Sequence, residues 1–189
     1  DPRHTYSNVT DFLPGVNATI KLNQKSNLRV TASQTVIRPE LRELSALNIY
    51  DFELNASVSG NPALKRTKIS NFDIRYELYP SAGEVFTAGV FYKNFENPIE
   101  SVFQEGTGGS SVFYFQNVSQ ATAFGFEIEG RKKISRRFTL QANGSIIKSE
   151  INDPLINIIR PLQGQSPYLI NTGLLYDVVE KGFNATVLF

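Results

Sequence analysis

Few side chains in this chain can exchange a proton, attack a carbon or hold a metal. Glu127 and Glu129 share one face of an extended segment and resemble in type a paired-carboxylate glycosidase site. At i, i+2 on a wall they are better placed to meet basic residues than to flank a sugar bond. Asp73, Arg75 and Glu77 read the same way, as charge spread along one polar face. Cys is absent and His4 is the single histidine, so beyond the N-terminal stretch no Ser-His unit, Cys-His unit or zinc cluster can be assembled. Gly106-Thr107-Gly108-Gly109-Ser110-Ser111 lacks the following Lys and helix of a phosphate loop and reads as a flexible loop tip. No catalytic residue, cofactor or metal is expected. What remains is a set of aromatics outside the regular segments: Tyr50, Phe52, Phe103, Phe113, Tyr114 and Phe115. Such rings can stack on a ligand or partner, or simply anchor the loops that carry them.

The segments that must position these residues alternate with period two, the signature of a strand whose side chains point to opposite faces. They fall at about 16–22, 28–37, 68–79, 84–95, 118–131, 136–149, 167–178 and 183–189. In 68–79, Phe72, Ile74, Tyr76 and Leu78 oppose Asn71, Asp73, Arg75 and Glu77. In 167–178, Tyr168, Ile170, Thr172, Leu174, Tyr176 and Val178 oppose Leu169, Asn171, Gly173, Leu175 and Asp177. The segment 84–95 has the weakest alternation, because Val85 and Phe91 sit on its polar side. At helical spacing these apolar residues would scatter around the cylinder, so no helix of ordinary length fits.

Connections alternate too. Short turns at 23–27, 80–83, 132–135 and 179–182 separate long connections at about 38–67, 96–117 and 150–166. Short turns at one end and long loops at the other are the rule in bacterial outer-membrane barrels. A strand of about ten residues at ~3.3 Å each, tilted by ~45°, spans about 23 Å, close to the ~25 Å apolar band of such barrels. The same alternation also suits a soluble sandwich or barrel with its apolar face turned inward.

Composition narrows the field. The 189 residues are 41% hydrophobic with a formal charge of +1, so no strong field draws nucleic acid. No run approaches the ~18 apolar residues of a membrane helix, which excludes a helical span only. Six Asn-x-Ser/Thr triplets, at Asn8, Asn17, Asn55, Asn117, Asn143 and Asn184, read as a by-product of Asn/Thr/Ser-rich polar faces.

Certain residues then carry a family resemblance in their order. Leu28, Arg29, Ser33, Thr35, Arg38 and Pro39 are followed by Gly60, Asn61, Pro62 and Leu64. Phe91-Tyr92-Lys93 and Asn97-Pro98-Ile99 come next, then Asn117, Ala121, Gly125 and Glu127. With Leu13-Pro14 ahead of them, these resemble the barrel of TonB-dependent outer-membrane receptors over about 13–189. The wording at Phe91-Tyr92-Lys93 and Ser166-Pro167-Tyr168 is similar to the subgroup with an N-terminal carboxypeptidase-regulatory-like domain. Physically, Pro39 ends a strand because it cannot donate to a ladder, and Arg38 sits at that strand's outer end. Gly60-Asn61-Pro62 is turn chemistry, with Gly free to adopt positive φ. These five are read as structural.

The resemblance implies an all-β fold: an antiparallel transmembrane β-barrel section, about eight strands of a barrel of roughly 22. Residues 1–189 would be part of a single barrel domain, beginning within an outer loop and stopping within a strand, with plug and TonB-binding segment absent. It implies an outer-membrane active transporter that takes up a ligand through a plugged barrel. Partners would be outer-membrane lipid, the TonB-ExbB-ExbD system through other parts of the receptor, and a surface lipoprotein or other outer-membrane complex. Alternatives are a passive porin or a small closed barrel in which 16–22 pairs with 183–189, and a soluble all-β binding or adhesion module. Siderophore, glycan, peptide and cobalamin cargoes all stay open.

Overall fold

Period-two alternation resolves into one antiparallel meander. The computed structural model describes residues 9–105, 111–153, 158–178, 180 and 182–189. In chain order the elements are β1 (Gly15–Lys21), β2 (Ser26–Ile37), α1 (Leu41–Leu44), β3 (Asn48–Asp51), β4 (Ala56–Ser59), β5 (Thr67–Leu78) and β6 (Val85–Glu96). They continue as β7 (Ile99–Glu105), β8 (Ser111–Asn117), β9 (Gln120–Lys133), β10 (Phe138–Asp153), β11 (Ile158–Arg160), β12 (Tyr168–Val178) and β13 (Phe183–Leu188). The main sheet runs β1-β2-β5-β6-β9-β10-β12-β13, with β11 paired to β10. These eight path strands are the eight expected from alternation. His4, Asn8 and the glycine-rich run 106–110 lie outside the described residues.

Register confirms the faces. Directly opposed residues of an antiparallel ladder share a face. One row therefore reads Val30, Ile74, Val90, Phe126, Ile146, Tyr168 across six strands. Ile74 is 49% exposed, Ile146 67% and Tyr168 66%, so among the described residues nothing covers this apolar face. A soluble sandwich would bury it.

The opposite face is polar and its long side chains lie along the sheet. Arg29 Nε donates to Glu77 Oε1 at 2.9 Å, and Tyr79 Oη donates to Glu77 Oε2 at 3.1 Å. Arg75 and Glu127 sit in one register row with Gly89 between them, and Arg75 Nη2 reaches Glu127 Oε2 at 3.6 Å across that glycine. Phe91 lies over Gly125, where a Cβ would collide with its ring. The weak alternation of β6 is thus a ring seated on a neighbouring glycine.

Three expectations change. The turn placed at 132–135 falls at 134–137, because β9 runs on to Lys133 and β10 starts at Phe138. Ser135 supplies the turn chemistry: its Oγ accepts the N–H groups of Arg137 and Phe138 at 3.3 and 3.2 Å. In the neighbouring turn, Ser81 Oγ donates to Glu84 at 2.8 Å and the Lys133 N–H adds a bond at 3.2 Å. Together they hold the Glu84 carboxyl below the usual glutamate range, the serine contributing most. Next, β1 and β13 form opposite edges of the sheet and do not pair, so the small closed barrel is ruled out. Every residue of both edge strands is exposed.

Finally, the long connections are not structureless. Segments 38–67 and 96–117 carry α1 and a second sheet of order β3-β4-β8-β7, in which β4 and β8 run parallel. Short β-branched and aromatic runs such as Val112-Phe113-Tyr114-Phe115 favour extended backbone. β3 and β4, four residues each, are too short for alternation to be legible, and β8 is apolar on both faces. The small hydrophobic core sits where these connections meet the main sheet: Val118, Ala121 and Ile151, with Phe95 and Leu162 against them.

Candidate functional site

The long-connection end of the sheet gathers most of the residues singled out by sequence. Arg38 directly follows β2, and Arg66 directly precedes β5. Between them lies Asp11, whose side chain is only 4% exposed. Arg38 Nη2 donates to Asp11 Oδ2 at 3.2 Å. Arg66 Nη1 lies 2.6 Å from Asp11 Oδ1 in an ion pair without the geometry of a directed hydrogen bond. Arg38 therefore pins the segment ahead of β1 to the rim.

Pro39 ends β2, and the one-turn helix α1 begins with Glu40 as its N-cap, whose N–H donates to Glu43 Oε2 at 2.9 Å. Gly60 packs against the far end of α1. A Cβ there would lie 2.7 and 2.8 Å from the carbonyl oxygens of Arg42 and Glu43, and closer still to that of Ser45. Positive φ among the described glycines falls at Gly83, Gly164 and Gly182, so close approach and not a left-handed turn requires glycine at 60. The neighbouring Asn61 N–H donates to the Glu43 carbonyl, satisfying one of the helix's orphan acceptors.

Two asparagine side chains stitch the second sheet to the segments that lead into β5 and out of β6. Asn61 Oδ1 accepts the Ala63 N–H at 2.9 Å, while its Nδ2 donates to the Phe115 carbonyl at 3.0 Å. Asn117 Oδ1 accepts the Lys65 N–H at 2.7 Å, and Nδ2 donates to the carbonyls of Lys65 and Asn97, both at 2.8 Å. Asn117 thus mimics a ladder residue with its side chain. Pro62 lies in the turn between Asn61 and Lys65.

The aromatics divide into two groups. Ile49, Val58, Phe113 and Phe103 form one row across all four strands of the second sheet. Phe103 and Phe113 meet edge-on at 5.5 Å, and Phe115 shares their face by alternation. Tyr50 and Tyr114 belong to the other face. Tyr50 contacts Phe52 edge-on at 5.1 Å and donates from its hydroxyl to Asn55 Oδ1. Phe52 is 87% exposed.

Sequence reasoning missed the contacts that join separate connections. Glu100, 5% exposed at its side chain, pairs with Arg160 at 3.1 Å. Gln163 Nε2 donates to the Ser101 carbonyl at 2.8 Å, and the Leu162 N–H donates to Ser149 Oγ at 3.1 Å. Asp11 and Arg66 were also silent, since no local pattern links residues so far apart. Together these contacts tie three long connections into one platform. It carries exposed rings and amides; no three acidic or histidine groups converge on a metal position among the described residues.

Comparison with known proteins agrees with this architecture. The family model "TonB dependent receptor-like, beta-barrel" matches residues 2–187. No curated protein matches. Among solved structures, the siderophore receptor PirA from Pseudomonas aeruginosa superposes with a TM-score of 0.69 at 16% identity, over 95% of this chain and 34% of that one. PirA from Acinetobacter baumannii gives 0.63 at 17% identity, over 90% and 27%. The copper transporter OprC gives 0.66 at 19%, over 92% and 25%. The chain thus spans about a third or less of the structures it matches. It belongs to the family of TonB-dependent receptor β-barrels.

Proposed function

We propose that this chain is one section of the wall and outer rim of an outer-membrane transporter that takes up a ligand through a plugged barrel. Residues 1–189 form part of its barrel domain, and plug and TonB-binding segment belong to other parts of the receptor. The uncovered apolar row from Val30 to Tyr168 is the observation that carries the reading, since only lipid makes such a face favourable. The polar face then lines the lumen. The turns at 22–25, 79–84 and 134–137 lie in the periplasm, and the platform faces outward. Outer loops and plug capture the ligand, and energy delivered through TonB, ExbB and ExbD opens the path. A surface lipoprotein or another outer-membrane complex is a further partner, seated on the platform.

This section performs no covalent chemistry. A soft metal ion draws on thioether, thiolate or imidazole ligands. The chain has no Met, no Cys and one His, so its share of recognition rests on rings and amides.

The test is uptake by cells producing the full receptor. Transport that stops when TonB is deleted supports the reading. Uptake at the same rate without TonB identifies a passive porin and overturns it.

A further inference from the structure

The hairpin joining β9 to β10 carries a charge pattern that transport does not call for. Arg131, Lys132, Lys133, Arg136 and Arg137 crowd into seven residues with no acid among them. Lys132 opposes Leu140 in the ladder, and Leu140 opposes Leu174, so Lys132 stands on the apolar face. On the same face and at the same end, Phe138 and Tyr176 meet at 4.8 Å, and Tyr176 and Phe183 at 6.2 Å. Ile134 is 62% exposed between the two groups of cations, and Lys132 and Arg136 are exposed too. Among the described residues neither the Lys132 nor the Arg136 side chain makes a hydrogen bond or an ion pair within 4 Å. The one nearby acid, Glu84, hydrogen-bonds Ser81 and the Lys133 N–H and offsets part of the charge of Lys132 and Lys133.

We infer that Lys132 and Arg136 form a binding site for the headgroup of an acidic glycerophospholipid in the periplasmic leaflet, with Phe138, Tyr176 and Phe183 packing against its glycerol and upper acyl carbons. Charge complementarity selects the occupant: five cations face a single nearby acid, Glu84, and the surplus positive charge meets one phosphodiester. Position selects the source. The cations flank the aromatic layer, where ring bodies are apolar and long basic side chains extend toward headgroups. A free anion in the periplasm would gain nothing from the rings. Each basic side chain near an acidic lipid surface strengthens attraction roughly five-fold, so the pair contributes about 25-fold.

The inference rests on the outer-membrane reading above. The experiment uses the full receptor in nanodiscs of phosphatidylethanolamine with a minor fraction of phosphatidylglycerol, and native mass spectrometry reads the lipids retained. Wild type should retain phosphatidylglycerol selectively. Lys132→Gln with Arg136→Gln should lose that selectivity, approaching 25-fold, while phosphatidylethanolamine retention is unchanged. Lys148→Gln, on the same face at the opposite end, should retain it. Should the double variant fail to insert, Arg136→Gln alone decides, because that residue lies in the turn outside the ladder. Equal phosphatidylglycerol retention by wild type and variant overturns the inference. So does parallel loss of both lipids, or displacement of phosphatidylglycerol by inorganic phosphate. A receptor absent from the outer-membrane fraction defeats the transporter reading; an inserted receptor without lipid preference defeats this inference alone.

Discussion

The two faces of β12 should respond oppositely to a new charge, and by an amount that depends on depth. From Tyr168 to Tyr176 the strand advances eight residues, about 26 Å at ~3.3 Å each. At a tilt of ~45° that is about 19 Å of membrane height. Thr172 lies midway. Leu174 lies two residues from Tyr176, about 5 Å above that ring's level. An arginine facing lipid costs ~2–4 kcal/mol at the midplane and ~0–1 kcal/mol at the interface. Thr172→Arg should therefore approach ~3 kcal/mol and Leu174→Arg about 2 kcal/mol, a near thirty-fold shift in the folding equilibrium. Asn171→Arg faces the lumen. It removes one exposed bond, from Asn171 Nδ2 to Asn143 Oδ1 at 2.8 Å, and should cost no more than ~1 kcal/mol. The assay is reversible guanidinium unfolding of the full receptor in phospholipid vesicles, with insertion scored by heat-modifiable migration. The expected order of cost is Thr172→Arg, then Leu174→Arg, then Asn171→Arg. A cost for Asn171→Arg equal to that of Thr172→Arg would refute the assignment of faces.

The platform yields two further expectations. Asn117→Ala removes two exposed bonds to the Lys65 backbone and one part-buried bond to the Asn97 carbonyl, the last costing ~1–3 kcal/mol, and Gly60→Ala forces the chain away from the end of α1. Both should speed protease cleavage within 38–66 and 97–119 while heat-modifiability stays as in wild type; unchanged cleavage in both refutes the stitching role. Arg160→Gln removes the 3.1 Å ion pair between Arg160 and Glu100, and hydrogen exchange along β7 should rise while exchange in β5 does not.

The wall was legible in sequence because its signal is local. Each strand states its own faces, as Phe72, Ile74, Tyr76 and Leu78 do, and a neighbour in register repeats them. Even the faulty segment was informative, since Phe91 on the polar face had Gly125 opposite it. The platform was legible only in part. Arg38, Gly60, Asn61 and Asn117 stood out as motif residues, but their work is done on Asp11, Arg42, Phe115 and Lys65. Phe115 and Lys65 come within reach through the parallel pairing of β4 with β8, a contact between separate connections that no period within either one announces. Gly60 illustrates the limit: turn chemistry explained a glycine there equally well, and only the carbonyls of α1 decide between the two causes.

The two faces of the sheet solve opposite packing problems. On the apolar face, side chains must project, because their contacts come from a fluid that has no fixed shape. Ile146 and Ile170, 67% and 70% exposed, stand clear of their neighbours. On the polar face, long side chains lie flat, and glycine makes that possible. Phe91 covers Gly125, and Leu188 reaches so far over Gly173 that an added Cβ would sit 2.9 Å from its Cδ2. Arg75 crosses Gly89 to Glu127 in the same manner. Each arrangement fills a gap in the wall with a neighbouring strand's side chain. Two of the charges on this face are likewise met along the surface, Glu77 by Arg29 and Glu127 by Arg75, so the wall stays low and leaves the volume beyond it free.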